Sequence, residues 1–164
     1  MKRGSKATNP RATMTGHGYR DLIAAYIHHQ YGDQGLVVYR EVNLGKTIIA
    51  KDRQIDVFVM RPVDQKAIAI ECKFQEVQGS ADEKIPYALD DLAALWVPGC
   101  LVYAGRGWSR GVLHQLEASR LSAYCMPERP NLQRSKATRE LDYILAATFG
   151  FWEQILPASK RYKR

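Results

Sequence analysis

Three charged residues sit inside two short apolar segments, and that conflict constrains the chain more than any other feature. Gln54-Ile55-Asp56-Val57-Phe58-Val59-Met60 and Ala67-Ile68-Ala69-Ile70-Glu71-Cys72-Lys73-Phe74 are mostly apolar at both parities, the pattern of strands in a covered sheet. Asp56, Glu71 and Lys73 interrupt them. A charge in such a strand is costly unless it is paired, hydrated or bound to a metal. Side chains alternate along a strand, so Glu71 and Lys73 share one face while Ile70 and Cys72 share the other. Arg61 to Lys66, with Pro62 and Asp64, reads as a turn. A hairpin there brings Asp56 beside Glu71. Two adjacent carboxylates repel unless a cation lies between them, and oxygen ligands suit a hard cation such as Mg²⁺. Lys73 is then free to face a phosphate or a water nucleophile. The competing reading is a surface hairpin with a Glu71/Lys73 ion pair on a wet face.

Asp56, fourteen residues, and then Glu71-Cys72-Lys73 resembles the PD-(D/E)XK nuclease superfamily, the fold of many restriction enzymes, homing endonucleases and Holliday-junction resolvases. Gly79-Ser80-Ala81-Asp82-Glu83-Lys84-Ile85-Pro86-Tyr87 also resembles the segment that opens the helix after the active-site hairpin in some restriction-type members. Ile55 stands where the motif has its proline. The resemblance implies an α/β, restriction-endonuclease-like core with a central mixed β-sheet flanked by helices. It implies a metal-dependent deoxyribonuclease with Asp56, Glu71 and Lys73 as catalytic residues. Asp56, Glu71 and the Cys72 backbone carbonyl would bind Mg²⁺, for which Mn²⁺ could substitute. Lys73 would orient a water or stabilise charge on phosphorus, and the product would carry a 5′-phosphate.

Three further residues are accessory candidates. An acid on the first helix assists the metal in some members, so Asp21 is either that acid or a helix-start charge. Glu41 either reaches the site or pairs with Arg40 or Arg53. Lys84 either projects to the scissile phosphate or is a solvated surface lysine.

The charge balance supports a polyanionic partner. The formal net charge is +7, with Lys2, Arg3, Lys6 and Arg11 near one end and Lys160, Arg161, Lys163 and Arg164 at the other. DNA is the first expectation, and Arg53, Lys84, Arg129 and Arg134 are its candidate contacts. At 164 residues the prior is one domain. Residues 1–15 read as a basic flexible arm, 16–157 as the nuclease domain and 158–164 as a basic tail. The three cysteines are widely spaced and show no zinc pattern. They fit a reduced, intracellular (cytoplasmic) protein, and no apolar run suits a membrane span.

Periodicity predicts the remaining elements. A helix is expected over Gly18–Tyr31 and a strand over Leu36–Leu44. Gly45-Lys46 should be a turn, followed by a second strand piece at Thr47–Ala50. Ser80 and Glu83 form a capping-box pattern ahead of a helix that Pro86 should kink or restart before about Trp96. A strand at Cys100–Ala104, a helix from Arg110 to about Ser122 capped by Ser109, and a strand at Tyr124–Met126 complete a crossover order. Lys136 to Leu156 reads as one long helix.

The expected function is a Mg²⁺-dependent endonuclease of the restriction or homing type, acting on double-stranded DNA. A double-strand cut needs two sites, so a homodimer or higher homo-oligomer is expected. A Holliday-junction resolvase is the alternative enzyme. A non-catalytic DNA-binding module, indifferent to Mg²⁺, is the alternative outside enzymes.

Overall fold

The structure, a computed structural model, describes residues 14–163. Helix α1 spans Gly16–Tyr31, and the Thr15 hydroxyl caps it by accepting from Gly18 N at 3.0 Å. Its apolar stripe of Tyr19, Leu22, Ile23, Tyr26 and Ile27 is buried. Strands β1 (Val37–Lys46), β2 (Asp52–Arg61) and β3 (Lys66–Phe74) follow as an antiparallel meander. Helix α2 (Ala81–Ala93), strand β4 (Gly99–Ala104), helix α3 (Arg110–Ala118) and strand β5 (Ser122–Tyr124) complete the sheet. Helices α4 (Arg139–Phe149) and α5 (Trp152–Ile155) close the fold.

The sheet order is β1-β2-β3-β4-β5, with β3, β4 and β5 parallel. This is the α/β architecture with a mixed sheet flanked by helices that the motif implied. Two apolar layers cover it. Ile68, Ile70, Cys72, Cys100 and Val102 meet α1 and α4 on one face. Leu101 and Tyr103 meet Ile85, Leu89, Leu92 and Leu116 of α2 and α3 on the other. The three cysteines are free thiols in the core. Among the described residues, no helix is long and apolar enough to cross a membrane.

Several boundaries differ from the sequence reading. Strand β1 continues through Gly45-Lys46, and Thr47–Ala50 is the turn rather than a strand. Local bonds decide it: Ala50 N donates to Thr47 O, and Lys51 N to the Thr47 hydroxyl. Helix α2 runs through Pro86 as one element and ends at Ala93, and the Ser80 side chain makes no capping bond. The long C-terminal helix is broken at Gly150, whose φ of 80° is the left-handed conformation that stops a helix. Residues 1–13, which hold Lys2, Arg3, Lys6 and Arg11 of the expected arm, lie outside the described residues, as does Arg164. Thr15, counted with the arm, is instead the α1 cap. Ala158–Lys160 of the expected tail forms an exposed 3-10 turn.

Candidate active site

The ladder between β2 and β3 runs from Arg61↔Lys66 to Val57↔Ile70 and stops there. The next pair by register would be Asp56 and Glu71. Asp56 also lacks a partner on its other side. Arg40 pairs with Val57 and Val42 with Ile55, while Glu41 between them has none and holds φ at 56°. That left-handed backbone is uncommon for a residue with a side chain. Asp56 thus lies where both neighbouring ladders lapse. Its Oδ2 accepts the Cys72 N–H at 2.8 Å, so the carboxylate replaces a strand partner. Arg53 and Ile55 share the parity of Val57 and Val59, yet together with Asp52 and Gln54 they line a cleft under α2.

Glu71 and Lys73 point to the α2 face, as alternation requires. They form an ion pair at 2.7 Å, each side chain about one fifth exposed (23% and 22%). Burial pushes the Glu71 carboxyl above its ordinary range, Lys73 pulls it back, and the charge of Asp56 adds to the rise. Burial alone would lower Lys73, but Glu71 outweighs it and leaves the ammonium above its ordinary value. The Glu71/Lys73 pair of the competing reading therefore exists, but inside a cleft rather than on a wet face. The cleft encloses about 420 Å³ between the β1–β2 turn and α2. Lys84, Tyr87 and Asp91 of α2 line it, with Thr47, Asp52 and Arg53 opposite.

Two carboxylates on diverging strands are hard oxygen donors whose mutual repulsion a cation would relieve. No group of three His, Cys, Asp or Glu suited to a metal occurs among the described residues. Asp56 and Glu71 could hold a cation only together with other oxygen ligands, as Mg²⁺ is held when it retains waters.

A family model described as a PD-(D/E)XK nuclease superfamily domain matches residues 15–152. The chain belongs to the PD-(D/E)XK nuclease superfamily. No curated protein and no solved structure matches it significantly. Members of this superfamily are generally nucleases, act on nucleic acid and typically use divalent metal ions.

The PD-(D/E)XK core gathers some of the sequence-predicted residues and disperses others. Asp56, Glu71, Cys72 and Lys73 come together, and Lys84 lines the same cleft. The structure gives Cys72 a bonded N–H, and its thiol is buried in the other layer. Arg53 is a correction. It is 7% exposed and donates to Asp91 at 2.9 and 2.8 Å, so the expected DNA contact is a guanidinium already paired within the protein, on the cleft wall. Glu41 is bound at 2.7 Å by Arg20, a partner the sequence did not suggest. Asp21 lies beyond the first turn of α1 and is held by Arg20 at 3.0 Å and Arg40 at 2.9 Å. Arg134 stacks 5.0 Å from the Tyr31 ring, at the far end of α1 from Tyr19, which meets Phe74. Tyr31 follows Tyr19 by twelve helical steps, about 18 Å of rise, so Arg134 lies remote from Lys73. Arg129 is exposed in the same loop.

Sequence reasoning did not single out Gln75. Gln75 is 6% exposed. Its amide nitrogen donates to Asp82 at 2.9 Å and to the Gly107 carbonyl at 2.8 Å, and its amide oxygen accepts from Ala81 N at 3.1 Å. Asp82 also accepts from Ser109 N at 3.1 Å. One side chain thus joins the end of β3 to the starts of α2 and α3, two residues after Lys73. Gly105 and Gly107 permit the approach, since a Cβ at either would collide with the backbone of Gln75 or Val77. The glycines of the 105–107 turn were the available signal.

Proposed function

We propose that the chain is a Mg²⁺-dependent endonuclease that hydrolyses phosphodiester bonds in double-stranded DNA, with residues 16–157 forming the nuclease domain. One observation carries the reading: Asp56 occupies the lapse between two ladders, beside a Glu71/Lys73 pair that opens into a cleft. Nothing in sheet packing requires that arrangement. Asp56 and Glu71 would bind Mg²⁺, or Mn²⁺ in its place, with the Cys72 carbonyl as a further oxygen. The bound cation supplies Lewis acidity and a lowered pKa for coordinated water. Lys73 orients the attacking water and stabilises charge on the phosphorus, and its bond to Glu71 holds it in place. Lys84 lines the same cleft and has no ion-pair partner among the described residues, which suits it to a phosphate on the cleft rim. The net charge of +7 supports a DNA substrate, and a double-strand cut calls for a homodimer.

The test is incubation of the protein with supercoiled plasmid, linear duplex and a four-way junction, each with Mg²⁺, Mn²⁺ or chelator. Metal-dependent cleavage of plasmid and linear duplex is expected. Cleavage confined to the junction would assign a resolvase instead. Binding without cleavage would assign a DNA-binding module.

A further inference from the structure

The turn between β1 and β2 is built more firmly than its surface position requires. Ile48 and Ile49 at its tip are 50% and 55% exposed and belong to neither apolar layer. A tip that packs nothing could be mobile at no cost to the core. Instead it is closed by a Thr47 N to Lys51 O bond at 2.8 Å. It is also anchored from below, where Ile48 N donates to Asp91 at 3.0 Å and Arg53 holds the same carboxylate through two bonds. A buried ion pair is therefore used to fix two solvent-facing isoleucines at the mouth of the catalytic cleft, which Thr47 and Asp91 both line. The charged side chains that line the cleft are balanced, Asp52, Glu71 and Asp91 against Arg53, Lys73 and Lys84, but two lysines near the tip are unpaired among the described residues. Lys51 beside the tip is exposed, and Lys84 faces it across the cleft.

We infer that the Ile48-Ile49 tip is a wedge that enters a base step of duplex DNA whose backbone lies in the cleft. The inference rests on the nuclease reading of that cleft and names how its substrate is held. Apolar side chains that insert between base pairs unstack the step and bend the duplex, and flanking cations hold the phosphates on either side. Two adjacent branched side chains on a braced turn suit insertion, because little freedom remains to be lost on binding. The wedge distorts the duplex next to the scissile phosphate and brings one strand to Lys73.

Permanganate probing of plasmid DNA reads unstacked thymines without knowledge of a recognition sequence. The full chain is bound to plasmid with Ca²⁺ in place of Mg²⁺, alongside the double variant Ile48→Ser, Ile49→Ser. Wild type should raise reactivity several-fold at discrete thymines, and the variant should leave those thymines at the free-DNA level. Both side chains already face solvent, so the variant should melt like wild type. With Mg²⁺, the variant should cut paired duplex on the order of tenfold more slowly, and a mismatch at the reactive step should restore its rate. Absence of binding, bound DNA with an unchanged permanganate pattern, or a variant that reproduces the wild-type pattern would overturn the wedge. Isoleucine-dependent unstacking without cleavage would uphold the wedge and defeat the nuclease reading. Cleavage without unstacking would do the reverse.

Discussion

Each face of the sheet holds a carboxylate withdrawn from water, and the two are satisfied in opposite ways. Asp142 on α4 is 3% exposed and takes four bonds from three hydroxyls: Tyr26 at 2.8 and 2.9 Å, Tyr31 at 2.6 Å and Thr138 at 3.1 Å. No cation pairs with it among the described residues, and neutral donors occupy its oxygens from within the apolar layer. Glu71 has one ammonium partner, a second carboxylate nearby, and an open cleft in front of it. Burial alone therefore does not mark a functional acid. Asp142 is enclosed and saturated, which is how a protein stabilises a structural charge. Glu71 is accessible and shares its surroundings with Asp56, an arrangement whose repulsion the proposed cation would relieve.

That contrast can be broken by exchanging the expected phenotypes. Asp142→Ala should cost about 3 kcal/mol of stability, because three buried hydroxyls lose their acceptor. Denaturant unfolding measures it, and the folded protein that remains should cleave with an unchanged Mg²⁺ requirement. Gln75→Ala sits between the two cases and sharpens them. It leaves the Gly107 carbonyl and Ala81 N without their partner, so about 2 kcal/mol of stability should be lost. Cleavage should also fall, on the order of tenfold, since the support two residues beyond Lys73 is loosened. A loss of stability with no change in rate would make Gln75 purely structural.

The effect expected at Asp91 is set apart by its dependence on pH. Hydrogen bonds from Arg53 hold its carboxyl below the ordinary range, against the opposing effect of burial. A depressed folded-state pKa means stability that is present above the unfolded value of about 3.9 and lost as pH falls through the folded value. Melting curves of wild type and Asp91→Asn should differ at neutral pH and converge as the solution is acidified below about pH 4. The same variant should loosen the Ile48 turn, which shares this carboxylate.

How far the sequence could be read follows from the range of each interaction. Asp56, Glu71 and Lys73 were legible because a charge within an apolar strand conflicts with its own neighbours. The alternation that placed Glu71 and Lys73 on one face is equally local, as is the Ser109 cap of α3, whose hydroxyl accepts from Val112 N. Arg53 with Asp91 and Arg20 with Glu41 were not legible, since tertiary packing alone brings those partners together. Ile48 and Ile49 suggested a strand because β-branched residues favour one, and hydrogen bonds around Thr47 overrode that preference. Gly150 lay within an unbroken apolar stripe, so periodicity carried the helix past a residue whose left-handed backbone ends it. The lapse of pairing around Asp56 is the least local feature, because it depends on both neighbouring strands at once.

The most direct test compares plasmid cleavage by wild type, Asp56→Asn and Lys73→Ala, with Mg²⁺ and with chelator, at matched thermal stability. The expected result is cleavage by wild type only, abolished by chelator. Each variant should fold normally and lose about 1,000-fold or more in rate, as befits a metal ligand and a group that stabilises developing charge. Wild-type rates from Asp56→Asn, or cleavage that persists in chelator, would contradict the assignment of this cleft as the metal-dependent active site.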